Sequence, residues 1–213
     1  MYFVKTPWLL KRIYPHYTWD QPASKKKIFL TFDDGPHPVA TPFVLDQLRS
    51  WGAKATFFCV GKNVVAEKAL YETLRQEGHS VGNHTHNHLN GWKTATRAYL
   101  DNVLQASEHI DSGLFRPPYG RIQKKQGRLL RQGVLGRAFR IIMWDVLSGD
   151  FDRSLTPEKC LEYVLKHTRS GSVVVFHDSE KAFKNMSVVL PAMLEHFSQR
   201  GFTFDALPDG PQK

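Results

Sequence analysis

Apolar residues recur along this chain in two alternating spacings. From Lys27 onward, short runs rich in β-branched and aromatic side chains predict about seven strands: Ile28–Phe32, Ala55–Val60, His79–Asn83, Leu114–Phe115, Ala138–Trp144, Val173–Phe176 and Phe202–Phe204. Between them, helical spacing predicts Thr41–Trp51, with Thr41 as cap, Pro42 in the first turn and Gly52 as the stop. The same spacing predicts Val64–Glu77 ending at Gly78, Thr94–Ser112 before Gly113, Thr156–Arg169 with Pro157 just inside its start, and Val189–Arg200. Strands and helices alternating at this period predict a parallel sheet covered by helices, either an open doubly wound sheet or a closed β/α barrel. No internal repeat or Gly/Ser-rich break interrupts the rhythm, so residues 27–213 read as one domain.

Residues 1–26 stand outside that rhythm. Trp8, Leu9, Leu10, Ile13 and Tyr14 are mixed with Lys5, Lys11 and Arg12, which suits either a strap packed on the domain or a weak contact with a membrane surface. Pro7 and the scattered charges break the apolar run that a signal peptide needs, and no small-residue cleavage site follows. No apolar run approaches the ~18–20 residues of a membrane span. These features predict a cytoplasmic or membrane-peripheral protein without a signal peptide.

Composition narrows the class. With 41% hydrophobic residues in 213, the chain buries enough surface to exclude intrinsic disorder. Lys and Arg number 29 against 20 Asp and Glu, a formal charge of +9, so an anionic partner is favoured. The basic residues are scattered, with no Arg/Gly repeat or zinc-finger spacing, which predicts no specific nucleic-acid binding. Cys59 lies in an apolar run and Cys160 in a helical pattern, as befits buried thiols rather than a disulfide scaffold.

The polar residues with chemical potential fall just past predicted strand ends: Asp33-Asp34, His84 and His88, Arg116, Asp150, and His177-Asp178. In a parallel β/α fold those ends share one face, where active sites are built. Adjacent carboxylates at a buried rim repel each other unless a cation binds one of them. His84 and His88, at i and i+4, would point the same way on a helical turn, and with Asp34 they make a two-His, one-carboxylate metal set with open positions. His86 lies between them as a bystander or supporting group. Arg116-Pro117-Pro118-Tyr119-Gly120 sets a permanent charge beside a rigid turn, and Asp150 is placed to orient the His177 imidazole.

Five segments in this order, Thr31-Phe-Asp-Asp-Gly-Pro36, His84-Thr-His-Asn-His88, Arg116-Pro-Pro-Tyr-Gly120, Trp144 through Asp150, and Val175-Phe-His-Asp178, resemble those of the NodB-like polysaccharide deacetylases, carbohydrate esterase family four. The resemblance spans about residues 27–205. It implies a distorted β/α barrel of seven or eight parallel strands, one divalent metal ion, zinc or cobalt, and hydrolysis of N-acetyl groups from a chitin-like or peptidoglycan-like glycan. By the same resemblance Asp33 is the general base, Asp34, His84 and His88 hold the metal, and Arg116 orients Asp33. The Tyr119 backbone N–H helps stabilise the oxyanion, His177 is the general acid, and Asp150 keeps it protonated. Three positions depart from the family's common pattern: Leu147 stands in place of Asp, Phe151 of Trp and Val175 of Leu, which bears on the acetyl pocket and not on the metal. An O-acetyl esterase or cyclic-amide hydrolase on the same triad, and a basic non-catalytic glycan-binding protein, are the competing readings.

Overall fold

The computed structural model describes residues 2–22, 25–133 and 136–209; the ends of the expected segments 1–26 and 27–213 lie outside the described residues. Its centre is β1 (Lys27–Asp33), buried on both faces from Ile28 onward, as expected of a central parallel strand. It pairs in parallel with β2 (Ala55–Cys59) on one side and β7 (Val173–His177) on the other. Outward from β2 come β3 (Ser80–Asn83), β4 (Leu114–Phe115) and β5 (Arg140–Ile141), and beyond β7 comes β6 (Val146–Leu147). All these pairings are parallel, and β8 (Thr203–Phe204) pairs with the start of β1, so eight strands are present among the described residues.

Alternation along β1 sorts its side chains. Ile28, Leu30 and Phe32 join the large core under the helices, whereas Phe29 packs inside the curve of the sheet with Phe58, Leu114 and Ile142. Register does the rest. Phe32 is opposite Phe57 and Phe176, with ring centroids 5.1 and 6.0 Å away, and one residue on Asp33 is opposite His177. The interior of the sheet is thus apolar at its floor and acquires polar groups at its C-terminal rim.

The two ends of the sheet belong to one stretch of chain. Arg140–Ile141 pairs with β4, and five residues later Val146–Leu147 pairs with β7, so Ile142–Asp145 spans the gap and closes the barrel. The single strand expected over Ala138–Trp144 is therefore two short ones, because the chain must leave one neighbour to reach the other. Carbonyls exposed in the gap are taken by a buried side chain: Arg116 donates through Nη2 to Met143 O (2.9 Å) and through Nε to Ile142 O (3.3 Å). The N-terminal segment covers the outside. Thr18 pairs with Ile142 and Lys5 with Val146, while Lys5 and Lys11 reach Asp145 at 2.5 and 2.6 Å. That segment contains α1 (Trp8–Ile13), none of whose residues is buried.

Helices α2 (Ala40–Ser50), α3 (Gly61–Ala66), α4 (Lys68–Gln76), α5 (Thr96–Ser107), α6 (Lys124–Gln132), α7 (Pro157–His167) and α8 (Glu180–Ser198) complete the fold. The helix expected over Val64–Glu77 is broken at Glu67, and the one expected over Thr94–Ser112 stops at Ser107. Thr41 is not the cap of α2; His37 Nδ1 accepts from the Val39 and Ala40 N–H groups, and Thr41 turns inward instead. Thr156 does cap α7, accepting from Lys159 N at 3.3 Å.

Candidate active site

β1 ends at Asp33, and the chain then turns sharply, with Asp34 in the left-handed region at φ 84°. The turn is held from below by Asp178, fully buried, which accepts from Gly35 N (3.1 Å) and from Thr41 Oγ1 (2.5 Å) while its own N–H donates to Asp33 O (3.1 Å). Position 35 has to be glycine here, since a Cβ would lie 2.0 Å from Asp178 Oδ2. Burial, reinforced by the Asp34 charge, pushes the Asp178 carboxyl up to about 8.

His84 and His88 do not lie on a helical turn, as their spacing suggested. Residues 84–90 form an irregular loop in which Thr85 and His88 both have positive φ, 63° and 56°. The loop nevertheless brings Asp34, His84 and His88 together, each offering a donor atom within 4.8 Å of the others. The His84 Nδ1–H donates to Arg116 O at 2.8 Å, so Nε2 carries the lone pair on the side of Asp34. Burial drives the His84 pKa down to about 4, so the ring is neutral at pH 7. Asp34 Oδ1 lies 3.7 Å from that nitrogen and 3.1 Å from His88 Nε2, yet it is buried without a hydrogen bond. Burial would raise the Asp34 pKa, but the surrounding imidazoles outweigh it and hold the carboxyl below its ordinary range. Two imidazoles and a carboxylate converging in this way fit a divalent cation.

Two ion pairs flank this centre. Arg116, completely buried against the Phe58 ring (4.1 Å to its centroid), donates through Nη1 to Asp33 Oδ1 and to Thr31 Oγ1, both at 2.7 Å. Asp150 grips His177 twice, accepting from its backbone N–H and from ring Nδ1, both at 2.8 Å. Burial lowers the His177 pKa, but the Asp150 charge and hydrogen bond, helped by Asp34 and Asp33, carry it up to about 9. The loop bearing Asp150 follows β6, a strand the sequence pattern did not reveal, and Asn185 of α8 ties it down by donating to Asp150 O at 3.2 Å.

The centre opens on a cleft of about 890 Å³. Tyr119, at φ 61° and 60% exposed, packs edge-on against His88 at 4.6 Å. The amides of Gly120 and Arg121 close this turn on Pro117 O and Pro118 O, and the Tyr119 N–H takes no part in it. All three departures from the family pattern line the cleft: Leu147, Val175, and Phe151, whose ring lies 5.0 Å from that of His177. The Tyr2 ring packs at a tilt on Phe151, 5.2 Å between centroids, and its hydroxyl donates to Asp152, so the N-terminal segment also forms part of the wall. His86 lies outside the cluster, 6.1 Å from His109. Sequence reasoning had singled out each of the eight candidate residues, but not the supporting roles of Thr41, Asp178 and Asn185, which arise only from packing.

The family model of polysaccharide deacetylase matches residues 20–133. A peptidoglycan-N-acetylglucosamine deacetylase of Bacillus cereus is 31% identical over 193 residues, covering 88% of this chain and 89% of that protein. A chitooligosaccharide deacetylase of a Bradyrhizobium strain is 30% identical over 212 residues, covering 87% and 91%. The crystal structure of a peptidoglycan N-acetylglucosamine deacetylase in complex with 4-naphthalen-1-yl-N-oxidanyl-benzamide matches with a TM-score of 0.84 and 29% identity, over 95% of both chains.

Proposed function

Since the chain belongs to the polysaccharide deacetylase family, we propose that it is a metal-dependent hydrolase that removes N-acetyl groups from N-acetylglucosamine units of a peptidoglycan-like or chitin-like chain. The observation that carries this reading is the unsatisfied Asp34 carboxylate facing the nitrogens of His84 and His88, with Asp33 and His177 in register beside it.

Asp34, His84 and His88 would hold a divalent ion, which when bound supplies Lewis acidity to a water and to the amide carbonyl. Asp33 takes the proton of the attacking water. Arg116 fixes one of its oxygens and leaves the other for that proton. As the carbonyl becomes tetrahedral, the Tyr119 N–H, held by the left-handed turn, donates to the oxyanion. His177 then protonates the departing nitrogen, which leaves only as an amine, and Asp150 keeps the imidazolium oriented for the transfer. Acetate and a free amino sugar are the products.

The test pairs chemistry with metal content. The protein should release acetate from N-acetylglucosamine oligomers and lose that activity on chelation. Asp33→Asn should keep the metal and lose about 10²–10⁴-fold in turnover, whereas Asp34→Asn should lose the metal as measured by elemental analysis. Acetate release from acetylated xylan with none from any N-acetylglucosamine oligomer would refute the amide assignment.

A further inference from the structure

Helix α1 keeps an apolar face turned to solvent and cannot turn it inward. Its inward side is pinned: Lys11 bridges Asp145 and Asp20, Lys5 holds Asp145, and Thr6 Oγ1 donates to Trp144 O at 2.7 Å. With this side fixed to the closing stretch of the barrel, Trp8, Leu9 and Ile13 are left 66%, 54% and 54% exposed, and Phe3 just upstream is 60% exposed. On a helix, positions 8, 9, 12 and 13 fall within a sector of about 140°, so these side chains form one continuous outward face. Arg12 sits among them with its guanidinium 5.5 Å from the centre of the Trp8 ring.

We propose that this face of α1 docks the protein onto an anionic lipid surface. Three observations select lipid over another macromolecule. The patch is a turn and a half of helix with no buried residue, too small to supply a stable protein interface by itself. Its composition, a tryptophan and two aliphatic side chains around an arginine, matches the headgroup boundary, where an indole sits half in and half out and a cation meets lipid phosphate. The chain's charge of +9 complements such a surface over the whole molecule. Phe3, Pro7 and Leu10 beside the face line the mouth of the active-site cleft, so docking sets that mouth at headgroup level. The docking rests on α1 alone; only its consequence for the substrate, a glycan held close to a membrane, rests on the function proposed above.

The experiment is sedimentation of the full chain with phosphatidylcholine vesicles, with and without phosphatidylglycerol, in the absence of any glycan, so that its outcome is independent of deacetylation. Wild type is expected to bind the anionic vesicles about tenfold or more tightly than the neutral ones. The double variant Leu9→Ser/Ile13→Ser, which keeps every charge, should lose about tenfold or more in vesicle affinity with an unchanged melting temperature. Brominated lipid should quench part of the tryptophan fluorescence of wild type, and Trp8→Phe should remove that part. Absence of binding by wild type, or equal binding by the double variant, would overturn the proposal. So would a dimer on size exclusion that the double variant dissolves, because the face would then belong to a second copy of the chain.

Discussion

At the scale of single residues, the pairing of Asp150 with His177 shows how a buried imidazole is kept charged. Burial alone would strip its proton, but the doubly bonded carboxylate outweighs that and carries the pKa to about 9. In the proposed mechanism the protonated form is the acid, so amide hydrolysis should decline as pH rises through the His177 pKa. A cation held at Asp34, as proposed, would cancel one of the charges that raise this pKa and set the limb of the loaded enzyme below 9. Asp150→Asn should move it further down, toward the ordinary histidine value near 6.5; kcat/KM measured against pH for both proteins reads the displacement. The acids, imidazoles and arginine of the site were legible in the sequence because each follows a run that reads as strand, and a parallel fold gathers such positions. The support from Asp178 to Gly35 and Thr41 was not legible, since it joins positions more than 130 residues apart through side-chain contact alone.

Elements were legible in proportion to their apolar periodicity. Strands β1, β2 and β7 are runs of five or more residues and were read almost to their ends. Helix α6 was missed because KKQGRLLRQ buries only Gln126, Gly127 and Leu130, too little to make a stripe. Helix α8 begins nine residues before the expected Val189, its early turns being largely polar. Strands β5 and β6, two residues each, are too short to carry any period, and the N-terminal segment is held beside them by backbone bonds at Val4, Thr6 and Thr18, by Trp19 packed in the core and by the ion pairs to Asp145. Burial would raise the Asp145 pKa, but Lys11, Lys5 and Ser172 outweigh it and hold it below the ordinary range. Asp145→Ala should therefore loosen residues 2–20, leaving two lysines without their shared partner at a cost of about 1–3 kcal/mol. Faster amide hydrogen exchange confined to this segment and its β5 and β6 contacts, with a lowered melting temperature, is the expected result.

For the molecule as a whole, the perturbed groups set opposite slopes on either side of a pH of greatest stability. His79 and His84 are lowered from 6.5 to about 4, mainly by burial, so each adds stability as pH rises across that interval. Asp178, raised from 3.8 to about 8, loses stability as pH rises between those values, and His177, raised from 6.5 to about 9, does so over its own range. Two gains against one loss below 6.5, and two losses above it, place the maximum for the metal-free protein near pH 6.5. Melting temperatures from pH 4 to 9 by circular dichroism test this. The alternation of strand and helix made the β/α class legible at this scale, while closure was not, because one stretch serves as both edges of the sheet. That arrangement orders the folding reaction. Arg140–Leu147 completes its pairing only once β4, β7 and the N-terminal segment are all in place, and its bridges to Lys5 and Thr18 join segments far apart in sequence. Ile141→Val and Val146→Ala should leave the refolding rate nearly unchanged, with φ of about 0–0.3, and speed unfolding instead. Stopped-flow chevrons would show the two arms responding unequally: this seam governs how long the barrel survives and has little influence on how fast it forms.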